Sequence, residues 1–224
     1  MAIPFLPPAP EPELPIGLEE GKYLVRLARD AILLFLREKK ILKPENPPKA
    51  VLQKRGVFVG LEKAANKELR GLIGYPQPLK ELAAGAIECA ISAAVSDPRF
   101  PSLTEAELSD VIIEVSVLSK PEPLRAASLA ELPSAIQIGR DGLLVEHDIY
   151  SGLLLPQVAV EKKWSSEEFL SNACDKAGLP KDCWREKEIK LYHFTAQVFR
   201  ESSPGGDVIQ LEFPRRTDPI TTGF

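Results

Sequence analysis

The hexapeptide Leu69-Arg70-Gly71-Leu72-Ile73-Gly74 is the most unusual stretch of the chain. Glycines inside a strand weaken it, and they usually mark a bulge or a place where a ligand or another backbone comes close. Two glycines beside Arg70 therefore predict an anion-binding cleft at residues 69–74. A bulged strand with an exposed Arg70 is the simpler interpretation, and the residues leave both open. Neither of the two common glycine-rich phosphate-loop motifs occurs in the sequence.

The segments around this stretch predict a β-hairpin between two helices. Residues 56–61 alternate and are rich in β-branched and aromatic side chains, so they and residues 69–74 are interpreted as paired strands. Apolar residues recur at helical spacing in residues 18–40 and 79–95. Farther along, Thr104 and Glu107 have the spacing of a capping box, and a strand is predicted at 111–118.

The second half of the chain repeats this pattern in part. The strings GLLV and GLLLPQ within residues 142–157 parallel GVFV and GLIGYPQ within residues 56–77, so a duplicated hairpin-and-helix unit is an open alternative to chance similarity. Ser165 and Glu168 form another capping-box pair, and residues 189–200 predict a last long strand. Strands that arrive as hairpins with helices between them favour an α+β fold of antiparallel sheets with flanking helices.

These elements divide the chain into three predicted parts. Residues 1–16 are rich in Pro and are expected to be extended. Residues 17–203 form the α+β domain, which could comprise two subdomains, and residues 204–224 form a C-terminal tail.

Composition excludes several classes of protein. The net charge is −4. A structural zinc site needs His or Cys ligands in close pairs, and the sequence has none among its two His (His147, His193) and three Cys (Cys89, Cys174, Cys183). No metal or cofactor is therefore predicted. The Cys spacing predicts reduced, buried thiols rather than a disulfide framework. No apolar run approaches the ~20 residues of a membrane span, and no basic signal-peptide start is present, so a cytoplasmic protein is expected. Many Pro and few Asn or Gln are typical of a thermophile.

Several segments together resemble one known family. Residues 69–74 are similar to the signature L-R-G-C-I-G of the AMMECR family, and the resemblance extends to residues 96–101, 114–118, 155–159 and 176–179. It covers roughly residues 20 to 200. The resemblance implies an α+β fold with a duplicated hairpin-and-helix unit and a cleft near the signature as the suspected site. It implies no established reaction. Prokaryotic members tend to be encoded beside Memo-type and radical S-adenosylmethionine proteins.

This chain departs from the signature because Leu72 stands at the Cys position. An alkyl side chain cannot act as a nucleophile or bind a metal, so an obligatory thiolate mechanism is excluded at this position. The position is better interpreted as packed, because Cys behaves as a small hydrophobic residue that Leu can replace.

The remaining polar residues supply the candidates for a site. Glu114 interrupts an apolar strand, and a buried carboxylate needs a partner, for which Arg70 and Arg99 are expected. Asp97 and Arg99 could form a turn with an internal ion pair. His147 is expected to be solvated at a hairpin tip, and His193 is expected to be packed within a strand. The ligand-binding candidates are Arg70, Gly71, Gly74, Asp97, Arg99, Glu114 and Gln157.

Three functions compete on this evidence. The favoured one is a small-ligand site, for an anionic ligand if Arg70 takes part, and the presence of catalysis is left open. The alternative is a nonenzymatic adaptor that works with a Memo-type or radical S-adenosylmethionine protein. Nucleic-acid binding is less favoured, because the basic stretch at residues 37–55 lacks interleaved aromatic residues and the whole chain is acidic.

Overall fold

The computed structural model describes residues 14–217, in which five α-helices surround one large antiparallel sheet. The predicted Pro-rich segment therefore lies outside the described residues except for residues 14–16. The helices are α1 (Leu18–Glu38), α2 (Leu82–Val95), α3 (Glu105–Leu108), α4 (Pro156–Glu161) and α5 (Ser166–Lys176). None of the described helices is both long and apolar enough to cross a membrane.

Ten strands within residues 14–217 form an eight-stranded sheet and a small two-stranded one. They are β1 (Gly56–Lys63), β2 (Leu69–Tyr75), β3 (Val111–Leu118), β4 (Glu122–Pro123), β5 (Gln137–Ile138), β6 (Asp141–His147), β7 (Tyr150–Leu154), β8 (Lys190–Glu201), β9 (Val208–Leu211) and β10 (Arg216–Thr217). The main sheet has the order β2-β1-β3-β8-β6-β7, with β4 and β9 also paired to β8. The predicted α+β fold of antiparallel sheets and flanking helices is confirmed.

The strand order has an internal symmetry. A hairpin, a helix and a central strand occur in this order in each half: β1, β2, α2 and β3 first, then β6, β7, the helices α4 and α5, and β8. The two central strands pair with each other, so the halves meet in the middle of the sheet. This arrangement supports the duplicated hairpin-and-helix unit.

The main sheet is curled. On one face α1 and α2 cover β1–β3, while α5 covers β6 in a separate core. On the other face, Phe58 and Leu72 from the first hairpin pack against the same cluster as Leu153 and Tyr192 from the second half. We call the face that carries this shared cluster the concave face of the curled sheet.

Local signals set the helix ends. Glu20 accepts from the Gly17 N–H at 3.0 Å at the start of α1, and Lys39 adopts a left-handed conformation (φ 57°) just after its end. The capping boxes predicted at Thr104 and Ser165 are both present. The Trp164 and Phe169 rings, 6.5 Å apart, form a hydrophobic contact at the start of α5.

The cysteines correct one expectation. Cys174 in α5 and Cys183 in a short 3₁₀ helix form a disulfide, so the prediction that these thiols are reduced is wrong. The chain reverses after α5 and brings the two Cα atoms to 6.0 Å, a separation typical of disulfides. Cys89 is a free, buried helix thiol, as predicted, and burial raises its pKa to about 12, which keeps it unreactive.

Part of the expected C-terminal tail is ordered in sheets. Residues Val208–Leu211 pair with β8, and Arg216–Thr217 pair with β5. The structure describes this segment only as far as residue 217.

Candidate functional site

The two signature glycines, Gly71 and Gly74, allow neighbouring backbone carbonyls to approach closely. A methyl group on Gly71 would lie 2.2 Å from the Ala93 carbonyl oxygen of α2, and one on Gly74 would lie 2.3 Å from the Val57 carbonyl oxygen. Both glycines therefore allow other backbone segments to come close, a common role of glycines within strands. The predicted bulge is also present: the register between β1 and β2 shifts by one residue at Arg70.

The bulge directs Arg70 toward α3. Its side chain is only 5% exposed, its Nη2 donates to Glu107 Oε1 at 3.3 Å, and its guanidinium lies 6.0 Å from the Phe100 ring centroid. The interpretation of Arg70 as an exposed residue is therefore wrong. Arg70 is a buried residue that ties β2 to the segment before β3.

Asp97 and Arg99 cover the outer edge of β2. Asp97 Oδ2 accepts from the Leu72 N–H at 2.9 Å, and Arg99 Nη2 donates to the Leu72 carbonyl at 3.2 Å. The two side chains also bind each other through Arg99 Nε at 2.9 Å and Nη2 at 2.7 Å. This ion pair, with the backbone N–H groups, lowers the pKa of Asp97 to about 2. The predicted turn and internal ion pair are confirmed, and they protect an edge strand.

The side chain of Leu72 lies on the concave face beside Gly60. Gly60 pairs with Leu72 on one side and with Glu114 on the other, so the three residues lie in one row across β2, β1 and β3. A methyl group on Gly60 would meet Leu72 at 3.5 Å and Glu114 at 3.9 Å, which are ordinary contacts. Leu72 also packs against the apolar cluster of that face, as expected for a packed residue at the signature Cys position.

Glu114 is held by residues from the second half of the chain. Gln157 Nε2 in α4 donates to Glu114 Oε1 at 3.0 Å and to Ser116 Oγ at 3.3 Å. Arg200 Nη1 lies 3.9 Å from Glu114 Oε2, while the same guanidinium binds Glu62 through Nη1 at 3.1 Å and through Nη2. We call Glu62, Glu114, Ser116, Gln157 and Arg200 the Glu114 cluster.

The pKa of the Glu114 carboxyl group lies near neutral pH. Burial raises its pKa to about 7, against the lowering effects of Arg200 and of the Gln157 hydrogen bond, and the charges of Glu161 and Glu62 raise it further. Burial likewise raises the pKa of Glu161, on α4. Solvent still reaches the cluster, because 22% of the Glu114 side chain and 20% of the Arg200 side chain are exposed.

The predicted site residues thus fall into two groups. Arg70, Asp97 and Arg99 lie around the outer side of β2, with Gly71 and Gly74 inside the packing, while Glu114 and Gln157 meet on the concave face. The expectation that Arg70 or Arg99 neutralises Glu114 is wrong, because these arginines bind Glu107 and Asp97.

Sequence reasoning missed four residues near Glu114: Glu62, Ser116, Glu161 and Arg200. Ser116 could have been found, because it alternates in phase with Glu114 on a strand that was predicted. Glu62 alternates in phase with Gly60 but lies one residue past the predicted end of the first strand. Arg200 depended on the register of β8, which the sequence does not specify. Among residues 14–217, no group of three or more His, Cys, Asp or Glu is placed to hold a metal ion.

Comparisons with known proteins agree with the fold and the signature. The family model AMMECR1 matches residues 25–199. A protein from Methanothermobacter thermautotrophicus is 53% identical over 84% of this chain and 97% of its own length, and one from Thermofilum pendens is 50% identical over 87% and 96%. The crystal structure of an uncharacterized protein from Pyrococcus horikoshii superposes with a TM-score of 0.85 at 45% identity, covering 88% of this chain and 98% of that one. The chain therefore belongs to the AMMECR1 family.

Proposed function

We propose that this protein binds a small polar ligand at the Glu114 cluster and that Glu114 exchanges a proton with it. The observation that carries the proposal is a carboxyl group with a pKa of about 7, held by Gln157 and partly open to solvent beside the signature strand. Carboxyl groups with such pKa values are concentrated at functional sites.

Glu114 is suited to general acid–base chemistry. A group transfers protons most effectively when its pKa lies near the working pH, because both protonation states are then populated. Thiolate chemistry is not available at the signature position, since Leu72 replaces the Cys. A proton transfer supported by Gln157 and Arg200 is the reaction class that these side chains can perform.

The position of the cluster also favours ligand binding. Gly60 leaves a gap the size of one methyl group between Leu72 and Glu114, on the face where the two halves of the chain meet. The expectation of an anionic ligand depended on Arg70, whose guanidinium is buried against Glu107 and Phe100. The ligand-binding proposal therefore rests on the Glu114 cluster alone.

A defined panel of small amines, alcohols and carboxylates tests the proposal. Saturation-transfer NMR at pH 7 is expected to detect binding of at least one compound to the wild type. Glu114→Gln should weaken that binding at least tenfold, because the substitution removes the proton-exchanging group. Gly60→Ala should also weaken it while leaving the fold intact, because its methyl group makes only ordinary protein contacts.

The control for this panel is Glu146→Gln, which neutralises a carboxylate near the tip of the second hairpin. It should leave binding unchanged. Equal binding by the wild type and Glu114→Gln would place the ligand elsewhere and refute the proposal.

The adaptor alternative, with a Memo-type or radical S-adenosylmethionine partner, stays a prediction. The surface best suited to it is an apolar groove of about 400 Å³ between the end of α1 and α2, lined by Phe35, Leu42, Ile87 and Ile91. Ile41, at the rim of this groove, is 70% exposed.

A further inference from the structure

We propose that the ligand of the Glu114 cluster is a primary amine in its protonated form. This inference rests on the proposed function and adds the class of ligand. It depends on the charges around the cluster, on one unsatisfied buried acceptor and on the apolar residues beside it.

The charges around the cluster are unbalanced toward the negative. Glu62, Glu114 and Glu161 lie close enough to influence one another, while the cations that act on them are Arg200, on Glu114 and Glu161, and Lys162, on Glu161. Both Nη atoms of Arg200 bind Glu62, whereas the shortest ion-pair distance from Arg200 to Glu114 is 3.9 Å. An ammonium group beside Glu114 would supply the close cation that this carboxylate lacks.

The unsatisfied acceptor is the amide oxygen of Gln157. Gln157 is 95% buried, since 5% of it is exposed, and its Nε2 is used by Glu114 and Ser116. Its Oε1 is buried and has no hydrogen-bond partner among the described residues. In its ionised form the Glu114 carboxylate can only accept hydrogen bonds, so the Nε2 faces Glu114 and the Oε1 is left to accept from another donor.

A protonated primary amine matches this set of acceptors. Its three N–H groups would donate to the Glu114 carboxylate, to one further acceptor such as Glu62 and, once the buried Gln157 side chain moves to admit the ligand, to the Gln157 amide oxygen. A carboxylate ligand would instead add negative charge beside Glu62 and Glu161. An alcohol donates only one hydrogen bond and leaves the charge unbalanced.

The carbon skeleton of the amine would contact apolar side chains on the same face. Phe58 and Leu72 are both partly exposed and pack against the apolar cluster of the concave face. The proposed ligand therefore combines an ammonium group with a short apolar carbon skeleton. Small-molecule sites commonly pair a few polar groups with a mostly apolar lining in this way.

Three probes of one shape test the charge of the ligand: benzylamine, benzyl alcohol and benzoate. Titrations of the full chain at pH 7, followed by NMR shifts of Gly60 and Leu72, are expected to show benzylamine binding at least tenfold more tightly than the other two. Gln157→Leu should weaken benzylamine at least fivefold, and Glu146→Gln should leave it unchanged. If Gln157→Leu does not fold, the order of the three probes on the wild type still decides.

The outcomes separate this inference from the proposed function. A preference for benzoate or benzyl alcohol that Glu114→Gln abolishes would overturn the amine class and keep the ligand site. Equal binding of all three probes to the wild type and to Glu114→Gln would overturn both. Absence of benzylamine binding at millimolar concentration would overturn the amine class.

Discussion

Replacing Glu201 by Ala is expected to lower the free energy of unfolding by about 3–5 kcal/mol, the range for breaking a buried ion pair. Glu201 is 3% exposed at the end of β8. Its two carboxylate oxygens accept from Arg29 Nε and Nη2, each at 2.6 Å, and Oε2 also accepts from the Ile113 N–H at 2.9 Å. The substitution would leave a guanidinium and a backbone N–H without their acceptors.

The loss should be large because Arg29 joins α1 to three other elements. Besides Glu201 in β8, it donates to the carbonyls of Leu108 at 3.0 Å, at the end of α3, and of Val111 at 2.6 Å, at the start of β3. Its side chain is 17% exposed, which limits how well water could replace the carboxylate.

A second ion pair of α1 provides the matched control. Arg37 and Glu105 are 2.6 Å apart, but their side chains are 54% and 49% exposed. Glu105→Ala should therefore lower the free energy of unfolding far less than Glu201→Ala, because water screens an exposed ion pair. Urea denaturation at pH 7 measures both variants. If Glu201→Ala and Glu105→Ala lowered the free energy of unfolding by similar amounts, burial would not determine how strongly these ion pairs stabilise the fold.

Reducing the Cys174–Cys183 disulfide is expected to lower the free energy of unfolding by about 3 kcal/mol. The bond closes a short loop in the unfolded chain, and its loss gives that chain more conformational freedom. Both sulfur-bearing residues are buried in the core beneath α5, so the bond also holds the 3₁₀ helix at residues 183–185 against that core. A reductant should therefore lower the midpoint of urea unfolding.

The control is the double variant Cys174→Ala, Cys183→Ala, whose midpoint the reductant should not change. Thiol titration of the unfolded wild type without reductant should find one free thiol, that of Cys89. Three free thiols, with no effect of the reductant, would contradict the disulfide.

Sequence reasoning succeeded where structure depends on neighbouring residues. The capping boxes at Thr104 and Ser165, the first hairpin and the strand at 111–118 were predicted correctly, because caps, turns and side-chain alternation act within a few residues. The ion pair of Asp97 and Arg99 belongs to the same class, since the two residues are separated by one position.

It failed where distant segments had to be aligned. Glu114 was recognised as a carboxylate in need of a partner, but its partner Arg200 is 86 positions later and is set by the register of β3 with β8. The disulfide depended in the same way on how the chain reverses after α5. Signature residues that are adjacent in sequence were also assigned to one cleft, whereas the bulge at Arg70 sends that side chain away from Leu72.

The pKa of the Glu114 carboxyl group tests the central claim most directly. Burial raises this pKa above the ordinary 4.5, so Glu114 is protonated more readily in the folded state than in the unfolded state, and protonation stabilises the fold. The associated stability should be complete below pH 4.5 and should be lost as the pH rises through 7. An NMR titration of the ¹³C-labelled side chain, assigned with Glu114→Gln, is expected to give a midpoint of about 7. A midpoint close to 4.5 would show an ordinary surface carboxylate and contradict the proposed site.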